Sequence, residues 1–331
     1  MALRLWMRCS RERRREGRAG LRPGCHRLAV PGTLRRAVLA ALALLLGGCG
    51  SIGFLHPHGP VAATQRDLFF EVTGWMMVVV LPAILLVPVM AWRYRRSARR
   101  SACQPDWKFS WPIEIALGGV PVLLVVILAT LIVRKAVALD PYAPIASGQP
   151  PLEVEVIGLD DKWLFVYPQE QVAAIGVLPL PVGRPVHFRL TSGTVMQSFA
   201  IPALGSRIYA MAGMVTELNL LADRPGVLLG QNTQFNGSGF QAQKFQARAM
   251  PPADFARWIV QARAAGRPLD AAAYARVARP GQLADLRRHF GVDPAQGLVF
   301  SAVPPGLFDG VVAQSRPALP HPHTGAAHAH P

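Results

Sequence analysis

Val72-Thr-Gly-Trp-Met-Met-Val-Val-Val-Leu-Pro-Ala-Ile-Leu-Leu-Val-Pro-Val-Met-Ala-Trp92 is a run of 21 residues without one charge. As a helix it spans about 32 Å, enough for a hydrocarbon layer of roughly 30 Å. Pro82 and Pro88 predict local kinks, which a helix packed among others tolerates. A second uncharged run, Ile115–Val133, contains Pro121. Trp75, Trp92, Trp107 and Trp111 stand near the expected boundaries, where interfacial aromatics concentrate. A buried helix of a soluble protein has similar composition. Two such runs around a basic loop argue instead for a membrane hairpin, with spans at 72–92 and 112–133.

The loop between the spans, 93–111, carries Arg93, Arg95, Arg96, Arg99, Arg100 and Lys108 against Asp106. Basic loops stay on the cytoplasmic side, so both ends of the mature chain are expected outside. The leader agrees. Residues 1–36 hold eleven Arg against Glu12 and Glu16, and the uncharged stretch 37–46 follows. Ten residues make about 15 Å of helix, too short to span but right for a secretory signal. Leu46-Gly47-Gly48-Cys49 comes next and resembles a bacterial lipobox, so 1–48 reads as a signal peptide and Cys49 as the lipidated first residue. A plain signal peptide or anchor with an incidental Cys is the alternative. The long basic leader also leaves Met7 as a possible start. Cys9 and Cys25 fall in the leader, which leaves Cys103 as the one unmodified cysteine and provides no disulfide.

Composition narrows the class. Hydrophobic residues are 51%, charged residues 16%, and mean hydropathy is +0.26 over 331 residues. That excludes a disordered chain and argues against a purely soluble one. The formal charge of +16 sits almost wholly in the leader and the loop, and the other residues hold 18 basic and 16 acidic side chains. Nucleic-acid binding, which wants a basic face, is therefore excluded.

Beyond the spans the period changes. Leu152–Ile157 alternates apolar and polar, and Trp163–Tyr167, His187–Thr191, Val195–Ile201, Val215–Leu221 and Lys244–Met250 continue a strand series broken by Gly, Pro, Asn or Asp. Residues 150–250 are thus expected to form an external all-β sandwich or small barrel. Phe255, Ile259 and Ala262, then Tyr274, Val277, Leu283 and Leu286, have helical spacing, broken at Gly266 and Pro280-Gly-Gln. This predicts a helical arm at 251–310 and a disordered Pro/His/Ala tail at 311–331. An external segment, 49–71, precedes the first span. His56, His58, His321, His323, His328 and His330 suggest weak metal binding at most, or incidental composition. His187 falls in a strand and reads as structural. No phosphate loop or Ser/His/Asp spacing stands out.

Two spans and an external β domain resemble subunit II of haem–copper oxidases. Thr191-Ser-Gly-Thr-Val-Met-Gln-Ser-Phe-Ala-Ile-Pro202 is similar to the family segment whose histidine binds a dinuclear copper centre. Arg224-Pro-Gly-Val-Leu-Leu-Gly-Gln-Asn-Thr-Gln-Phe-Asn-Gly237 is similar to the segment that ends Gly-Gln-Cys-x-Glu-x-Cys-Gly. On that alignment Gln197 replaces the first histidine, Asn232 and Asn236 the cysteines, Gln234 the glutamate, Phe240 the second histidine and Gln243 the methionine. Bridging thiolates and imidazoles are what such a centre needs. All six positions have lost their ligands.

Residues 196–214 and 236–245 are closer to the cytochrome o ubiquinol oxidase branch of the family. The resemblance runs from the lipobox to about residue 310 and implies a cupredoxin-like domain without copper. It implies an inner-membrane complex with subunits I, III and IV that oxidises ubiquinol. Two haems and one copper would lie in subunit I, with no cofactor held by this chain. Glu114 and Pro121 match the family's Glu…Pro pattern, which implies proton uptake near Glu114; a solvated helix-cap charge is the other reading. Asp161 stands where the family usually has a Trp that receives electrons from cytochrome c, so Trp163 is expected to be core. The alternatives are a cytochrome c oxidase subunit with a degenerate copper site, or a membrane lipoprotein scaffold with no redox partner.

Overall fold

The computed structural model describes residues 53–93, 110–264, 267–293 and 297–316. The expected signal peptide, Cys49, Cys103, most of the basic loop and the four tail histidines lie outside the described residues.

Two long helices come first, α1 (Pro60–Arg93) and α2 (Trp111–Ala138). Both are long and apolar enough to cross a membrane. Their large apolar side chains are exposed on all sides, as suits lipid or helical partners rather than water. Both helices overrun the expected spans. α1 starts twelve residues before Val72, so the expected external segment 49–71 is helical from Pro60 onward. Proline suits a first helical position. The added turns rest on the external domain, where Ala62 N donates to Leu204 O at 3.2 Å. α2 continues past Arg134 and Lys135, charges that end a hydrocarbon span but not a helix. Both helices run unbroken through Pro82, Pro88 and Pro121.

The external domain is a two-sheet sandwich. One sheet (sheet A) has the order β11-β3-β2-β1-β5-β8, the other (sheet B) the order β4-β10-β9-β6-β7. Their ranges are β1 (Leu152–Leu159), β2 (Lys162–Tyr167), β3 (Val172–Ile175), β4 (Val177–Pro181), β5 (Val186–Ser192), β6 (Gln197–Ile201), β7 (Gly205–Ala210), β8 (Thr216–Leu220), β9 (Gly226–Asn232), β10 (Lys244–Met250) and β11 (Leu298–Phe300). β1 with β5 and β4 with β10 are parallel, and every other pairing is antiparallel.

Aromatic rings fill the space between the sheets. Phe199 stacks on Phe245 at 5.3 Å between ring centroids, and Trp163 meets Phe199 edge-on at 5.3 Å. Trp163 is accordingly core. Gly230 makes room for this packing, because a Cβ there would lie 2.0 Å from the Phe245 ring. Strand β6 begins at Gln197, two residues later than the pattern predicts. The Ser192 hydroxyl donates to Val195 O at 2.6 Å and accepts from Thr194 N at 3.2 Å, which turns the chain before the strand.

Four helices, α3 (Pro252–Ala264), α4 (Ala271–Ala278), α5 (Leu283–Phe290) and α6 (Leu307–Ser315), follow the last strand of sheet B. They bury the residues chosen by helical spacing, including Phe255, Ile259, Ala262, Val277 and Leu286. The arm is not purely helical, because β11 joins sheet A beside β3. Nor does it stop at residue 310. That boundary falls inside α6, where Phe308, Val311 and Val312 bury an apolar stripe on sheet A. Arg189 on β5 fastens α6, reaching Glu155 at 3.1 Å, Asp309 at 3.3 Å and the Phe308 ring at 4.8 Å. The second half of β1 and all of β2 are therefore covered on both faces.

Candidate functional site: an amide cluster at the expected ligand positions

The β1–β2 turn, the start of β6, the end of β9 and the loop before β10 converge at one end of the sandwich. Four of the six expected ligand positions meet there. Gln197 and Gln243 are fully buried, Asn232 nearly so, and Asn236 half-buried. Their side-chain amides bond to one another. Gln243 Nε2 donates to Gln197 Oε1. Gln243 Oε1 accepts from Asn232 Nδ2 at 2.9 Å and from Asn236 Nδ2 at 3.3 Å. Gln197 Nε2 donates to Leu159 O at 3.1 Å, and Gln243 Nε2 also reaches Leu159 O and Lys162 O, each at 3.4 Å. Asn232 Oδ1 accepts from Ser198 N at 3.0 Å and Gln234 N at 2.9 Å.

Backbone geometry explains how the amides fit. Gly158 sits against Gln197, and a Cβ there would come within 2.6 Å of Gln197 Oε1. The β9–β10 connection closes through a 3-10 turn at Phe240–Ala242, which aims Gln243 inward. The other two positions do not join the side-chain cluster. Gln234 supplies only its backbone N–H, and the Phe240 ring packs on Phe235 at 5.2 Å.

This donor set does not fit a dinuclear copper centre. A neutral amide has no thiolate or imidazole lone pair to bridge soft copper ions. The oxygens of Gln197, Gln243 and Asn232 already accept hydrogen bonds, so little donor capacity is left over. What the arrangement can do is mechanical. It ties three loops where a metal would otherwise tie them.

Two neighbours extend the tie. Asp161 has φ 63° in the β1–β2 turn and lies against Gly239, where a Cβ would meet Asp161 Oδ1 at 2.0 Å. Lys162 is 3% exposed, and its ammonium donates to Asp160 O, Arg279 O and Gly281 O at 2.8–2.9 Å. Burial pushes the Lys162 pKa below the usual lysine value, opposed by the charges of Asp161, Asp160 and Asp285. The lysine pins the turn between α4 and α5 to the same hairpin that the amides hold. Neither role is visible in the sequence, since Asp161 lies against Gly239 and Lys162 bonds the carbonyls of Arg279 and Gly281, all far away along the chain.

Glu114 belongs to a different region. It lies in the first turn of α2 and is exposed, with its N–H bonded to Ser110 O at 3.1 Å. About 36 Å of helix separates it from Ala138, at the end that meets the domain. His187 bonds Asn219 at 3.0 Å across β5 and β8, as a structural residue does. Among the described residues, no three His, Cys, Asp or Glu side chains form a metal-ligating group.

Known proteins match on these same elements. The family model "Cytochrome C oxidase subunit II, periplasmic domain" matches residues 168–244, from the end of β2 to the start of β10. The cytochrome bo(3) ubiquinol oxidase subunit 2 of Pseudomonas putida is 40% identical over 239 residues, 72% of this chain and 76% of the relative. The ubiquinol oxidase subunit 2 of Acetobacter aceti is 39% identical over 274 residues, 82% of this chain and 85% of the relative. The Pseudomonas aeruginosa cytochrome bo(3) subunit 2 is 36% identical over 294 residues, 87% and 85% of the two chains. With two helices fit to span a membrane and a cupredoxin-like sandwich, and with relatives 36–40% identical over most of its length, the chain belongs to the ubiquinol oxidase subunit 2 family of haem–copper oxidases.

Proposed function

We propose that this chain is the copper-free external subunit of a complex that takes electrons from ubiquinol and delivers them to oxygen. The amide cluster carries the reading, because a site of neutral amides that bond to one another, with no thiolate or imidazole among them, cannot relay electrons from cytochrome c through bridged copper. On this reading two haems and one copper reside in subunit I, subunits III and IV complete the complex, and this chain contributes assembly and an external cap. The expected setting is the bacterial inner membrane, with lipid on Cys49 and both mature ends periplasmic. The basic loop and the lipobox support that topology independently.

Oxygen uptake by the complex purified through this chain tests the reading. Reduced ubiquinol should sustain respiration, and reduced cytochrome c should not exceed background. Uptake with cytochrome c would restore the oxidase with a degenerate copper site. Absence of haem from the preparation would favour the scaffold.

Proton uptake at Glu114 is part of the proposal. A carboxylate at the cytoplasmic start of a span, in a first helical turn, suits that role. Glu114→Ala should lower quinol-driven turnover, by about a hundredfold if the group is obligatory for proton transfer. Unchanged turnover in a fully assembled complex would leave Glu114 as a solvated cap charge.

A further inference from the structure

The outer face of sheet B is exposed along β9 and β10 and at Arg207 and Tyr209 of β7, while β4 is buried and the start of α1 lies against Gly205. Much of the outer face of sheet A lies under the helical arm. The five strands of sheet B contain no Asp or Glu. They contain three cations, Arg207, Lys244 and Arg248, and strand register puts all three on that outer face. Arg207 pairs with Ala200, Ala200 with Gln231 and Gln231 with Lys244, which makes one row across four strands. Arg248 pairs with Val227 in a parallel row. Val227 and Leu229 stand between the cations and are 67% and 53% exposed, with Tyr209 37% exposed on β7. None of the three cations forms an ion pair among the described residues. Sheet A carries both signs, Glu153, Glu155 and Glu217 with Lys162 and Arg189, and its Arg189 is paired with Glu155.

We infer that this face is a docking surface for an acidic, partly apolar segment of another subunit of the oxidase, and in this it rests on the proposed membership of that complex. A water-facing sheet is normally polar throughout, so branched aliphatics between unpaired cations need a cover. The cover must be anionic, since nothing on the face offers a negative charge. Protein is favoured over lipid by number and spacing. Anionic headgroups are recognised by clusters of four to eight basic residues. Here three cations alternate with aliphatic and aromatic side chains, and Arg, Tyr and apolar residues together are what protein interfaces select.

The test uses the complete complex in detergent. Photoreactive p-benzoylphenylalanine replaces Leu229 in one preparation and Tyr209 in another, and irradiated products are identified by mass spectrometry. Haem content and quinol-driven oxygen uptake are read on the same samples. Cross-links to an Asp/Glu-containing segment of another oxidase subunit are expected. The triple change R207E/K244E/R248E should lower their yield about tenfold or more, because like charges then face each other. Three outcomes overturn the docking while leaving the oxidase reading intact: haem and activity present with no cross-link, cross-links to phospholipid only, or cross-links unaffected by charge reversal. Loss of haem from the unsubstituted preparation would instead overturn the oxidase reading on which the docking rests.

Discussion

Replacing Gln243 by leucine should destabilise the external domain by about 3 kcal/mol, the largest effect expected of any single change at the amide cluster. Gln243 is the hub. Its oxygen serves Asn232 and Asn236, and its nitrogen serves Gln197 and the Leu159 and Lys162 carbonyls. Leucine is close to glutamine in volume, so no large cavity forms. The cost comes from the partners left behind. Asn232 Nδ2 and Gln197 Oε1 are buried beyond the reach of water, and each orphaned group costs about 1–3 kcal/mol. The added apolar contact offsets a fraction of this. Thermal unfolding of the purified chain should show a midpoint lower by about 10 °C, at a few degrees per kcal/mol for a domain of this size. A fall of under about 3 °C would mean that the cluster is not a staple. Gln234→Ala is the matched control, since that residue contributes only its backbone N–H.

The second large effect is expected at Lys162. Its ammonium satisfies Arg279 O and Gly281 O, 117 and 119 residues along the chain, as well as Asp160 O. Lys162→Met keeps the aliphatic stem and removes all three donors. Charged hydrogen bonds contribute about 1.5–3 kcal/mol each when their partner is left dry. Water can reach the α4–α5 turn once it lifts, so the net loss should be about 2–3 kcal/mol, concentrated in the arm. Limited proteolysis reads this directly. Cleavage between α4 and α5 should accelerate about tenfold or more, while the β sandwich stays resistant, because local opening sets the rate. Equal cleavage of variant and parent would show that the apolar contacts of Val277 and Leu286 hold the arm without the lysine.

Some strands were legible and others were not, for a common reason. β1, β5, β8 and β10 alternate or carry β-branched and aromatic residues, so period and propensity agree. β3, Val-Ala-Ala-Ile, is covered on both faces and has no alternation to read. β4, Val-Leu-Pro-Leu-Pro, contains two prolines and survives as an edge strand beside β10. β9 places Val227 and Leu229 outward, which hides its inward set in a run of apolar residues. The arm was legible as helices because its apolar stripes fall at 3.6-residue spacing. β11 was not, because three residues make a strand only when β3 lies beside them.

Of the candidate site, the sequence by itself determined the chemical identity of the six positions, the absence of thiolate and imidazole among them, and the two apolar runs that suit a bilayer. The apolar runs follow from residue type and local spacing, and the six positions from the resemblance to the family's copper-binding segments. Only the tertiary structure decided that Gln197, Asn232, Asn236 and Gln243 meet while Gln234 and Phe240 do not, that Gln243 is the hub, and that Lys162 joins the cluster to the arm. Those facts depend on carbonyls and amides brought together from segments 38 residues apart between Gln197 and Leu159 and 119 residues apart between Lys162 and Gly281. A hydrogen bond between such distant groups leaves no periodic trace in the chain. It exists only once the sheets have packed and water has been excluded from the polar groups between them.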